Sequence, residues 1–479
     1  MFLKQYYLGC LAHASYLIGD EKTKSAAVVD PQRDIDQYLA DAQSHGFKID
    51  YVILTHFHAD FLAGHIELRN RAGAKIVMGM KAQAEFDFQA MKDGESIEMG
   101  DVRLQFLETP GHTPEGISVL VFDLAADKKT PHAVLTGDTL FIGDVGRPDL
   151  LASIGVTADE LAVMLYESLD KLRKLPDSTL VYPAHGAGSM CGKNLSKETV
   201  STIGEQKEFN YALKPMPFET FRDLVTSDQP EAPEYFVYDA IKNRQERSDL
   251  ESTMKSSMKA LSLDEVLGMQ KQNAQVVDVR EAIDFEGAHL VGSINIGLQG
   301  KYATWCGSIL SHDTPIVVIA EAGNEEEAVM RLGRIGFDNV AGYLRDGMAA
   351  LESRPELVEK IHRITAPALA EQLAAPKQPL VLDVRSEKEW NGGHIAGSLN
   401  IPLPHLQDRM SEIPEHRSLV VHCEGGYRSA IASSLLSRAG RKDLLDLVGG
   451  IKAWNASQLP TTTDGATGAA CGGSTACTT

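Results

Sequence analysis

The chain has few cysteines, no basic run and no long apolar run, and each shortage removes a class of function. Six scattered cysteines in 479 residues do not make the disulfide framework of a small secreted protein. Lys and Arg number 46 against 66 Asp and Glu, for a formal net charge of −20. Nucleic acid and anionic membrane are therefore not expected as partners, since phosphate binding needs clustered Lys and Arg. No stretch approaches the roughly 20 apolar residues of a membrane span, and no basic-then-apolar segment opens the chain. A soluble, cytoplasmic protein is expected. At 479 residues and 43% hydrophobic, the chain exceeds one ordinary core, and roughly two to four domains are expected.

One more absence concerns a single position. A strand-like run over 51–55 ends in His56-Phe57-His58-Ala59-Asp60-Phe61. Gly111-His112-Thr113 and Leu135-Thr136-Gly137-Asp138 each close another apolar run, and Tyr182-Pro183-Ala184-His185-Gly186 follows. Imidazole and carboxylate are what a divalent metal needs when it must keep open positions for chemistry. Enzymes with two metals usually carry a histidine immediately after the aspartate of the first cluster. Here that position is Phe61, which binds no metal, so one metal is expected.

Short apolar strands and helical stretches alternate over residues 1–236, the first expected domain. Residues 226–258 are polar and charged with Pro230 and Pro233, and 237–260 reads as a linker or a wrapped extension. An internal repeat follows. Val276-Val277-Asp278-Val279-Arg280 and a later Gly-Ser-Ile-Asn recur as Val381-Leu382-Asp383-Val384-Arg385 and Gly-Ser-Leu-Asn. Each copy reaches a second strand, at 316–320 and 419–423, then a helical pattern and a Gly-rich close. A strand–helix–strand unit of this kind implies a small parallel-sheet domain made twice, over 261–358 and 359–460. Residues 461–479, with Cys471 and Cys477, have no apolar periodicity and are expected to be disordered.

The order Thr55-His56-Phe57-His58-Ala59-Asp60, Gly-His-Thr, Thr-Gly-Asp and His185 resembles the metallo-β-lactamase superfamily over about the first half of the chain. The resemblance implies an α/β chain opening with an αββα sandwich, its ligands on loops at strand ends. Gly146-Arg147-Pro148-Asp149 is similar to a Gly-Arg-x-Asp segment of the persulfide dioxygenases in that superfamily. Their likeness implies one Fe(II) per chain, held by two histidines and one aspartate, matching His56, His112 and Asp138. Such a facial triad leaves positions for O2 and substrate, and redox-inert zinc could not reduce O2. His58 is expected as a fourth ligand or as a hydrogen-bonding support. Asp60 and His185 are expected as remnants of a second metal site, acting as hydrogen-bonding groups. His65 is expected as a satisfied helix residue. The Gly-rich loop over 186–194 should line the pocket mouth. There Arg147 and Lys193 are either anchors for the carboxylates of a thiol carrier such as glutathione or solvated cations. Cys191 either picks up sulfane sulfur or is a buried inert thiol.

The repeated unit resembles rhodanese, a sulfurtransferase, and its expected persulfide loop is Cys423-Glu424-Gly425-Gly426-Tyr427-Arg428-Ser429. A Gly-rich nest of N–H groups and a helix N-terminus favour an anionic sulfur, and Arg428 would add a full charge. Cys423 is the expected nucleophile. In the first copy Ala320 stands where Cys423 does and Glu325 where Arg428 does, so that copy is expected to serve as scaffold, docking surface or dimer contact. Two parallel-sheet α/β rhodanese domains, the first disarmed, thus follow the sandwich. The combined resemblance implies oxidation of a small-molecule persulfide by O2 to sulfite, with Cys423 moving sulfane sulfur to or from a thiol, sulfite or thiosulfate. A homo-oligomer is expected. The alternatives are a thioester hydrolase of the glyoxalase II kind and a sulfur-relay or redox-sensing hub.

Overall fold

The computed structural model describes residues 1–150, 155–193, 195–227, 229 and 231–463. The chain divides into two compact units. One comprises Met1–Ser256 with the short segments Ala303–Ser308 and Met330–Asp338; the other holds the remainder.

The first unit has two six-stranded sheets. The first runs in sequence order through β1 (Phe2–Leu8), β2 (His13–Gly19), β3 (Ser25–Val29), β4 (Lys48–Ile53), β5 (Lys75–Gly79) and β6 (Gln89–Met91). The second runs from β7 (Ser96–Met99) through β8 (Val102–Glu108), β9 (Ile117–Asp123), β10 (Ala133–Gly137) and β11 (Leu180–Pro183) to β12 (Ser201–Thr202). Strands β2, β9 and β10 are buried almost throughout, because both of their faces are covered. Val29, Ile53 and Val77 of one sheet share a buried cluster with Leu104, Val119 and Leu135 of the other. Outside the second sheet, the helix Ala158–Arg173 opens on a Thr157/Glu160 capping box and buries Ala162, Leu165, Leu169 and Leu172. This is a sandwich of two sheets with helices outside. Strands β3 and β4 run parallel, and the segments that follow β4, β8 and β10 hold the site.

Residues 237–260 are not a bare linker. They carry the helices Tyr235–Lys242 and Leu250–Ser257, and Asn243 grips the histidine loop. Its side-chain amide donates to the carbonyls of His58 and Phe61, at 2.8 Å each, and accepts from Ala63 N–H at 2.9 Å.

The second unit repeats itself. Its two five-stranded sheets are parallel throughout and share one order. Ala260–Leu261, Val340–Leu344, Ile316–Ile319, Gln275–Asp278 and Ile294–Asn295 correspond to His362–Ile364, Leu444–Leu447, Leu419–His422, Leu380–Asp383 and Leu399–Asn400. Inside each copy a buried Arg forks onto the Asp two residues earlier: Arg280 onto Asp278 and Arg385 onto Asp383, with shortest contacts of 2.6 Å. Asn295 and Asn400 cap the same backbone carbonyls in their own copies. Among the described residues no helix is long and apolar enough to cross a membrane. Of the expected disordered segment, 464–479 lie outside the described residues.

Candidate metal centre and persulfide loop

Leaving β4, Thr55 is locked to Asp30 by its N–H and its hydroxyl, each at 2.8 Å. The hydroxyl also stands 2.9 Å from His56 Nδ1, which leaves His56 Nε2 for the site. His112 is oriented in the same way, with Nδ1 3.0 Å from the Arg147 carbonyl oxygen. Asp138 follows β10 at a crowded turn. A Cβ on Gly137 would lie 2.5 Å from the Thr55 hydroxyl oxygen, and one on Gly146 only 1.9 Å from the Asp138 carbonyl oxygen, so both positions need glycine.

These turns bring three buried side chains together. His56 Nε2 lies 3.8 Å and His112 Nε2 3.5 Å from Asp138 Oδ2, and one ligand atom from each residue falls within 4.8 Å of the others. Burial pushes both imidazoles below their usual value, so each presents a lone pair rather than a proton. Burial opposes charge on Asp138, but His185 and His56 overcome it and hold the carboxyl well below the usual range. Two neutral imidazoles, each fixed by its other nitrogen, and one carboxylate fit a divalent cation.

The other expected residues fall around this triad. His58 Nε2 stands 3.1 Å from Asp30 Oδ1, and His58 is not one of the three residues whose ligand atoms cluster. His185 Nδ1 lies 2.8 and 3.0 Å from the two Asp138 oxygens, and its Nε2 lies 2.9 Å from Asp60 Oδ2. Burial opposes the imidazolium, but Asp138 and Asp60 raise His185 well above its usual value. Cys191 is buried beside Asp60 and His185. Burial, with Asp138 and Asp60, pushes its thiol well up, which argues against a ready nucleophile.

Arg147 and Lys193, expected as carboxylate anchors or solvated cations, both bond groups of the fold itself. Arg147 is buried and forks onto Asp149 at 2.8 and 2.6 Å, while its carbonyl orients His112. Lys193 Nζ donates to the Leu224 and Ser227 carbonyls at 2.5 and 3.1 Å. Both charges are already committed within the fold. His65, expected as a satisfied helix residue, is buried and packs 4.9 Å from the Phe86 ring. Sequence reasoning passed over Asp30, Glu115 and Asn243. Asp30 was findable, because it ends an apolar strand as Asp138 does. Glu115, which accepts from Phe57 N–H at 3.1 Å, and Asn243 act across the fold and leave no local signal.

In the second unit, Cys423 directly follows the strand Leu419–His422 and is buried, and its Sγ accepts the Gly426 N–H at 3.1 Å. Ser429 Oγ lies 3.7 Å from the same sulfur. Gly426 has φ 120°, open to glycine alone, and the helix Tyr427–Arg438 starts directly after it. The closing segment seals the loop from behind, since Ile451 and Lys452 N–H donate to the carbonyls of Cys423 and Glu424. Gly425 lies in open space, and Glu424 pairs with Lys452 at 3.0 Å. Arg428 departs from expectation. Its guanidinium is bonded to both oxygens of Glu389, at 2.7 Å each, so its charge is shared rather than offered whole to the sulfur.

Comparison with known proteins matches residues 8–185 to the metallo-beta-lactamase superfamily and residues 262–354 and 365–457 to the rhodanese-like domain. The persulfide dioxygenase ETHE1, mitochondrial, of Bos taurus is 32% identical over 200 residues, 41% of this chain and 69% of that protein. A hydroxyacylglutathione hydrolase of Bradyrhizobium sp. (strain ORS 278) is 30% identical over 264 residues, 54% of this chain and 93% of its own length. Among solved structures, a metallo-beta-lactamase from Staphylococcus aureus subsp. aureus COL shares 32% identity at a TM-score of 0.65, covering 72% of this chain and 98% of that one. The sandwich, the residues at its strand ends and these relatives agree: the chain belongs to the metallo-β-lactamase superfamily, with persulfide dioxygenases among its relatives and two rhodanese-like domains in its C-terminal part.

Proposed function

We propose that the protein is a persulfide dioxygenase–sulfurtransferase that holds one Fe(II) at His56, His112 and Asp138 and carries sulfane sulfur on Cys423. The observation that carries this reading is the buried triad of two neutral imidazoles and one ionised carboxylate. Bound there, iron would supply the electrons that reduce O2 and open positions for a persulfide sulfur. The overall change is RSSH + O2 + H2O → RSH + SO3²⁻ + 2 H⁺. The chain's own part is to orient and to exclude water. Thr55 and the Arg147 carbonyl aim the imidazoles, His185 holds a proton at Nδ1 against Asp138, and burial keeps bulk solvent from the ligands.

Sulfur transfer then follows from the loop. The Cys423 thiolate attacks the outer sulfur of RSSH, the S–S bond of the substrate breaks, and RSH leaves with the proton. Sulfite attacks the outer sulfur of the resulting Cys423 persulfide, giving thiosulfate and restoring the thiolate. The Gly426 N–H would stabilise the anion at both stages. Both centres use the same persulfide, and fusion raises its effective concentration. The substrate class is a low-molecular-weight persulfide such as glutathione persulfide, in a reducing, cytoplasmic-type compartment.

Oxygen uptake by anaerobically iron-loaded protein on adding glutathione persulfide tests the reading. Uptake should vanish in His112→Ala and persist in Cys423→Ser, in which thiosulfate gives way to sulfite. An unchanged product ratio in Cys423→Ser would remove the sulfurtransferase step. A second reading, metal-dependent thioester hydrolysis, is favoured by the likeness to the hydroxyacylglutathione hydrolases and the buried Asp60–His185 pair.

A further inference from the structure

We propose that Asp446, together with Glu286 of the disarmed copy, is a positioning residue for Cys423, deciding where the Ser429 hydroxyl sends its proton; this rests on Cys423 as the sulfur carrier. Ser429 has one hydroxyl proton and three acceptors around it. It donates to the Gly426 carbonyl at 3.0 Å, its oxygen stands 3.7 Å from Cys423 Sγ, and the Asp446 carboxyl lies within hydrogen-bonding reach. An ionised Asp446 would draw that proton and leave a Ser429 lone pair toward the sulfur. A neutral Asp446 donates to Ser429 Oγ instead, and the hydroxyl is free to turn to the sulfur. The neutral state therefore favours an anionic Cys423, as thiolate or as persulfide.

The disarmed copy sets that state. Glu286, on the helix Ala282–Gly287, is buried against the active copy: its carboxylate meets Arg363 at 2.9 Å, and its carbonyl accepts the Ile361 N–H at 2.9 Å. Arg363 is the register partner of Asp446 on one neighbouring strand, and Val421 on the other. Glu286 and Arg363 are the charged groups that act on Asp446, and the helix Tyr427–Arg438 meets it with Ser429. Two buried carboxyls that share one guanidinium hold one proton between them. Burial, reinforced by Glu286, pushes Asp446 well above the usual carboxylate range against Ser429 and Arg363. Burial also lifts Glu286, to about 7, against the pull of Arg363. The proton thus sits on Asp446 and the charge on Glu286, where Arg363 meets it. The repeat supports a role in the chemistry rather than in the fold. By register Tyr343 stands where Asp446 does, and by the Ala320–Cys423 alignment Glu326 stands where Ser429 does. The Asp-x-Arg fork serves both copies, whereas Asp446 and Ser429 occur only in the copy with the nucleophile.

The test is the pH profile of Cys423 alkylation by iodoacetamide in the full chain, read on the Cys423 peptide by mass spectrometry. It needs no turnover, so its failure is distinct from an unchanged product ratio in Cys423→Ser. Glu286→Gln removes the charge that keeps the proton on Asp446, which then ionises beside Ser429. The profile should move to higher pH, with alkylation below its midpoint slowed about tenfold as the thiolate fraction falls. Asp446→Asn, neutral at every pH, should keep the wild-type profile. Glu286→Gln combined with Asp446→Asn should return to it, a rescue that a mere disturbance of packing would not show. Glu286→Met takes the place of Glu286→Gln should the latter not fold. An unshifted profile in the Glu286 variant overturns the proposal, and so does a shift that Asp446→Asn leaves in place.

Discussion

Thr55 shows how much one small side chain decides. Its hydroxyl joins Asp30 to His56, so it sets both the exit of β4 and the face of an imidazole. Thr55→Val keeps the shape and removes the hydrogen bonds. It should lower iron affinity about 10–100-fold, as loss of a ligand's supporting partner does, read by chelator competition with the fold intact by circular dichroism. Glu389 supports a prediction in pH. Half-burial opposes its charge, but the Arg428 guanidinium overcomes this and draws the carboxyl down to about 2. The pair therefore stabilises the folded chain fully above the ordinary carboxylate range, and the contribution is lost as pH falls through that range toward about 2. The gap in thermal midpoint between wild type and Glu389→Gln should be constant near neutrality and shrink in acid. A gap that widens in acid would refute the pairing. At this scale Asp138, His56 and His112 were legible because each ends an apolar run. The fates of Arg147 and Lys193 were not, because a cation's partner is a matter of tertiary placement. Lys193 is spent on carbonyls more than 30 residues away in the chain.

Among the elements, the helix Tyr427–Arg438 is braced by the copy whose loop has Ala320 in place of the cysteine. Tyr427 donates from its hydroxyl to the Gly297 carbonyl at 2.6 Å, and its ring lies where a Cβ on Gly300 would be, at 2.3 Å. The disarmed copy thus contributes to the loop that carries Cys423. Gly300→Ala should displace the ring, cost about 1–3 kcal/mol in stability by overpacking, and slow alkylation of Cys423. Tyr427→Phe keeps the packing and should show a smaller effect on both. Equal effects from the two variants would place the brace in the hydrogen bond instead. The repeat was legible at this scale because the Asp-x-Arg fork and the later Asn serve the same interior in each copy. The helices of 237–260 were less so. Their polar composition suits a connector, and Asn243 reaches Phe61 across 182 residues of sequence.

Across the whole molecule, the chain joins a metallo-β-lactamase sandwich to two rhodanese-like domains, and the proposed chemistry links them through one substrate. Four spaced clusters and one duplicated pattern made this architecture readable, since each marks the end of a strand whose apolar run announces it. The most direct measurement compares the iron-loaded and zinc-loaded full chain on two substrates, recording O2 uptake with glutathione persulfide and hydrolysis of a glutathione thioester. The account predicts O2 uptake with release of sulfite or thiosulfate by the iron form alone, and no appreciable thioester hydrolysis by either. Rapid thioester hydrolysis by the zinc form, with no O2 uptake by the iron form, would contradict it.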